Sequence, residues 1–90
     1  METEIQVAST MHLMTRRIMY PEGDSREIDH TLSINQLVDI NGFPLAPPLS
    51  TVKMIVYRVF RIATESLKGE DIIRYHLEQL WRDELEELVL

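Results

Sequence analysis

Cysteine is absent from this 90-residue sequence. That excludes a disulfide scaffold, a thiolate metal site and thiol catalysis, and it suits a reducing compartment. Glycine is scarce: Gly23, Gly42 and Gly69 are the three present, and at that spacing they build no phosphate-cradling loop. There is one tryptophan, Trp81, which makes it the leading candidate for an aromatic interface anchor. No apolar run approaches the roughly 20 residues of a membrane-spanning helix. The opening Met1-Glu2-Thr3-Glu4-Ile5 lacks the basic start of a secretory leader, so a cytoplasmic location is the expectation. Positive charge is also short. Nine Lys and Arg face fifteen Asp and Glu, for a net charge of −6. Such a balance disfavours nucleic acid and anionic membranes as default partners and favours a protein with a basic surface.

What is present begins with a period of two. Ile5, Val7, Met11, Leu13 and Met19 alternate with Glu4, Gln6, Thr10, His12 and Arg16. Successive strand side chains leave opposite faces, so this is a strand signature. Pro21-Glu22-Gly23-Asp24 supplies turn chemistry. Closing a hairpin there pairs Tyr20 with Ser25. The register then runs through Arg17–Ile28, Leu13–Leu32 and Met11–Ile34 to Ile5–Ile40, with Arg16 opposite Asp29 on the other face. A competing capping box at Ser33-Ile34-Asn35-Gln36 offers a short helix over 37–40 instead.

Beyond Asn41-Gly42, three prolines in Pro44-Leu45-Ala46-Pro47-Pro48 predict an extended connector over 42–50, with Phe43 and Leu45 tucked onto the core. Val52, Ile55, Val56, Val59, Phe60, Ala63 and Leu67 then recur at three and four residues, which predicts a helix over about 51–68. Its β-branched run makes a strand over 52–62 the main alternative. Ile73, Leu77, Leu80, Trp81, Leu85 and Leu88 predict a second helix over about 70–88, antiparallel to the first across Lys68-Gly69. The predicted fold is a single α+β domain, a hairpin over about 4–41 followed by two antiparallel helices.

Each strand of that hairpin would hold about 16–17 residues and span roughly 55 Å. A compact chain of this length is on the order of 30 Å across. Two-stranded ribbons are also weak alone and their edges invite pairing, so a homodimer or an obligate complex is expected.

Chemistry is thinly represented. His12, His30 and His76 show no ligand spacing, and neither metal nor cofactor is expected. Asp29-His30-Thr31 imitates a triad fragment, but neighbouring strand residues face opposite ways. The acids Asp83, Glu84, Glu86 and Glu87 sit where a helix dipole disfavours them unless a basic surface meets them. The expected function is therefore a non-enzymatic adaptor, inhibitor or regulatory subunit that engages a partner through the ribbon and through Trp81, Glu84, Leu85, Glu87 and Leu88. In a second reading, Leu45–Trp81 resembles a ribbon-helix-helix repressor: an extended piece, Pro47-Pro48, a helix, Gly69, then Glu70-Asp71-Ile72-Ile73-Arg74. That resemblance implies a small DNA-binding regulator, with Arg58, Arg61 and Lys68 as the basic residues available for phosphate contact.

Overall fold

A computed structural model describes residues 13–89. Six strands and one short helix follow in order: β1 (Leu13–Met19), β2 (Ser25–Ile28), β3 (Leu37–Val38), β4 (Pro44–Leu45), β5 (Tyr57–Leu67), β6 (Glu70–Gln79) and α1 (Arg82–Leu88). They form one mixed sheet in the order β2-β1-β6-β5-β3-β4. β6 lies at its centre, antiparallel to β5 and parallel to β1. The chain measures 59 × 23 × 17 Å with a radius of gyration of 16.8 Å, against about 12 Å for a compact chain of this length. The excess length comes from the β5–β6 hairpin, which projects with β1 alongside it.

The pleat sorts this sheet into two faces. On the first, Ile18, Ile28, Tyr57, Val59, Tyr75 and Leu77 are buried together, and Leu32 and Val38 from the segment after β2 close over them. On the second, at the far end, Leu37, Val56 and Leu80 are buried beneath Leu49 and Leu85 of α1, with Leu45, Val52 and Leu88 at the margin. One sheet thus carries two small cores on opposite faces. Parity fixes this arrangement: Tyr57 and Val59 point one way, Val56 and Arg58 the other.

The predicted β-β-α-α architecture is overturned. Residues 57–67, expected in a helix, form β5. Residues 70–79, expected in a second helix, form β6, and helix survives only over Arg82–Leu88. Strand propensity agrees with this outcome: Val59, Ile62, Thr64, Ile72 and Ile73 are β-branched and fit a pleated surface. A bulge between Val59 and Arg61 breaks the alternation and leaves a spacing that imitates a helical stripe. Lys68-Gly69 does join antiparallel neighbours, but they are strands.

The turn after Tyr20 forms as expected, closed by the Tyr20 N–H on the Asp24 carbonyl at 2.8 Å. Its register differs by one residue. Met19 pairs with Ser25, Ile18 with Arg26 and Arg16 with Ile28. This brings Ile18 and Ile28 to one face, where the expected register separates them. The ribbon also ends at Ile28. Leu13 and Met14, expected opposite Leu32 and Thr31, pair with Glu70 and Asp71 of β6. The pairs built on Ile5, Val7 and Met11 lie outside the described residues. Leu37–Val38 is a strand rather than a helix, although the Gln36 side chain does accept the Ser33 N–H at 2.9 Å. Phe43, expected on the core, is exposed and stacks on His30 at 5.9 Å between ring centroids.

Candidate functional site

Behind the first core, and beyond the second, the second face of the sheet is left open. The register places Thr15, Arg17 and Met19 of β1, Ile72, Arg74 and His76 of β6, and Arg61, Ala63 and Glu65 of β5 on it. No described element packs there. Phe60, thrown out by the bulge, stands beside His76 at 6.3 Å between ring centroids. Together with Trp81, Pro21, Glu22 and Glu78 it lines a groove of about 660 Å³. Trp81 is 66% exposed and Phe60 50%. Tryptophan is enriched at interfaces, where its apolar body packs and its N–H finds a partner.

Trp81 is held in place by α1. The Glu84 carboxylate accepts the Trp81 N–H at 2.9 Å, and the Leu85 N–H bonds the Trp81 carbonyl at 2.9 Å. The helix therefore starts on Trp81 and leaves the indole outside. Arg58 of β5 pairs with Glu78 of β6, and its guanidinium lies 4.0 Å from Glu84. This cross-strand pair ties β5, β6 and the first turn of α1 together beneath the groove.

The other residues expected at an interface divide. Glu84, Glu87 and Leu88 line a second groove of about 520 Å³, with Leu45, Pro47 and Arg58 opposite. Leu85 is buried in the core beneath them. Phe60 was missed, because its spacing fits the helical stripe. Its neighbours at i−2 and i+2, Arg58 and Ile62, gave no sign that it leaves the strand alternation.

His76 is held below its ordinary value of 6.5, first by burial and then by the Arg61 and Arg74 guanidinium groups. Met19 and Phe60 face it from β1 and β5. The folded chain thus resists a proton that the unfolded chain accepts, so stability falls as pH drops below 6.5 toward the folded value. Urea midpoints measured from about pH 7.5 to 5.5 should decline in the wild type and less steeply in His76→Gln. Equal slopes would remove this account. Tyr20 and Tyr57 are both raised, chiefly by burial, and meet edge to face at 5.5 Å.

The basic residues of the DNA-binding reading are not carried by a helix. Arg58, Arg61 and Lys68 sit along a strand and its turn rather than on one helix. Arg58 and Lys68 are separated by about 33 Å of extended chain, and Arg58 is taken up by Glu78. Asp29 and His30, expected to point apart, lie at a bend 3.5 Å from each other. Asp29 is solvent-exposed and the other His30 nitrogen is bonded to the Gly42 carbonyl. Among the described residues no group of three or more His, Asp or Glu side chains is placed to hold a metal ion, and no helix is long and apolar enough to cross a membrane.

The class so defined is a small, elongated mixed-sheet protein with cores on opposite faces and the rest of the second face open. The chain belongs to the family described as "Uncharacterised Treponema protein", which it matches over residues 13–88. No curated protein and no solved structure matches it.

Proposed function

We propose that this protein is a non-enzymatic, cytoplasmic protein–protein interaction module that takes a basic segment of a partner into the groove between Phe60 and Trp81. The observation that carries this reading is the placement of two exposed aromatic rings with Glu22 in one groove, beside Glu78, whose carboxylate is held by Arg58. A lysine or arginine stem lies well against aromatic faces, and its head group is drawn to the rings and to Glu22 together. Asp83, Glu86 and Glu87 of the adjoining helix extend the negative sign for steering. Arg61 and Arg74, on the far side of Phe60, repel a second basic residue there and so set the direction of the segment.

Trp81 is the one tryptophan, so its emission reports directly on the groove. Titration with Lys- and Arg-rich peptides should shift that emission saturably, and the affinity should fall with salt. Phe60→Ala and Glu22→Lys should each weaken binding by about tenfold while leaving the fold intact. An equal response to acidic peptides, or none to basic ones, would defeat the proposal.

A further inference from the structure

The long outer strand of the hairpin is half covered. β3 flanks β5 at Tyr57 and Arg58, and the Val59 N–H and C=O are taken by Gln36 and Asn35 at 3.0 and 2.7 Å. From Arg61 to Leu67 no described strand lies along its outer side, and every residue of that stretch but Ala63 is exposed.

The hydrogen-bond pattern says which groups are free. Leu13 donates to the Gly69 carbonyl at 2.8 Å and aligns with Glu70 in the parallel pair. Odd residues of β6 therefore turn their backbone toward β1, and even residues toward β5. Ile72, Arg74 and His76 face Glu65, Ala63 and Arg61, so those β5 residues bond inward. The backbone N–H and C=O groups of Ile62, Thr64 and Ser66 point away from the sheet. The bulge at Phe60 accounts for the change of parity from Val59.

We propose that this edge is a self-association site: a second copy pairs antiparallel along it, with the two-fold axis at Thr64. The window is symmetric about that residue. Its outward groups are Ile62, Thr64 and Ser66, bounded on one side by the occupied Val59 and on the other by the Lys68-Gly69 turn. Reversing a second strand about Thr64 matches Ile62 with Ser66, Thr64 with Thr64 and Ser66 with Ile62, and each pairing is of the hydrogen-bonded kind. The same operation sets Glu65 opposite Ala63 of the second copy and diagonal to its Arg61. Diagonal neighbours lie about 7–8 Å apart, within reach of long side chains. Within one chain Glu65 is bonded to Arg74 at 2.9 Å, while Arg61 has no carboxylate partner among the described residues. The dimer supplies one, twice. Beyond the bulge, the edge from Ile62 to Ser66 carries no proline or lysine, and β-branched Ile62 and Thr64 suit a pleated partner.

The association uses none of the Phe60–Trp81 groove and stands apart from the peptide-binding reading. Sedimentation equilibrium of the full chain across the micromolar range tests it. The wild type should dimerise. Thr64→Pro removes an outward N–H and no inward bond, so it should raise the dissociation constant at least about tenfold with the circular dichroism unchanged. Arg61→Glu and Glu65→Arg should each weaken self-association, and mixing the two should restore a heterodimer. The amides of Ile62, Thr64 and Ser66 should gain exchange protection with concentration. The proposal is overturned by a wild type that stays monomeric, by a dimer indifferent to both kinds of substitution, or by protection that does not vary with concentration, which would place another part of the same chain on the edge.

Discussion

Ile18→Ala is expected to lower the unfolding free energy by about 3–4 kcal/mol, within the range for a fully buried isoleucine. Ile18 is wholly buried at the centre of the first core, aligned with Tyr75 on one side and Arg26 on the other. It is packed from above by the backbone at Gly42. Both flanking strands are pinned by hydrogen bonds, so the surroundings cannot collapse into the space left behind. A domain of this size has only about 5–13 kcal/mol to lose, so a large share of its stability rests on this side chain. Ile62→Ala on β5 is the contrast. Its side chain is 38% exposed, and its loss should amount to less than about 1 kcal/mol. Urea denaturation of both variants with an unchanged m value checks the pair. Equal losses would mean that the first core is not where the stability resides.

Gly42→Val should be nearly as damaging, by about 3 kcal/mol, from two sources acting together. Its φ of +87° is one that side-chain-bearing residues rarely adopt. A Cβ there would stand 2.8 Å from Ile18 Cδ1 and 3.3 Å from Ile28 Cγ2. The two sources separate by experiment. Ile18→Val removes the Cδ1 methyl, so the double variant Gly42→Ala with Ile18→Val should be less destabilised than the sum of the single variants. Gly69→Ala, at φ +69° in open space, should show the backbone contribution alone, about 1 kcal/mol. Additive losses at Gly42 and Ile18 would deny the contact between them.

These two positions show what was legible and what was not. The turn at Pro21–Asp24 could be read directly, because proline, glycine and aspartate act on their own backbone. Its exact closure could not. Met19 pairs with Ser25 rather than with Arg26 because a five-residue connection brings Ile18 and Ile28 together under Gly42, and that benefit is tertiary. The site was partly legible. Trp81 was singled out as the sole tryptophan, and the structure leaves it exposed. Phe60, its partner across the groove, was absorbed into an apparent helical stripe, since a bulge has no sequence signature when its residues are ordinary ones.

Composition, charge and local chemistry were settled by the chain alone: an acidic protein without cysteine, turning at Gly23 and Gly69, with one tryptophan near an acidic terminal helix. The placement of Glu70–Gln79 in the middle of a sheet, parallel to Leu13–Met19, was decided by the tertiary structure. A parallel pair between segments some fifty residues apart leaves no mark on either segment. The choice of strand over helix for Tyr57–Leu67 and Glu70–Gln79 was decided there too. β6 is paired along both sides, by β1 from a distant part of the sequence and by β5 across a turn, and that pairing holds both segments extended.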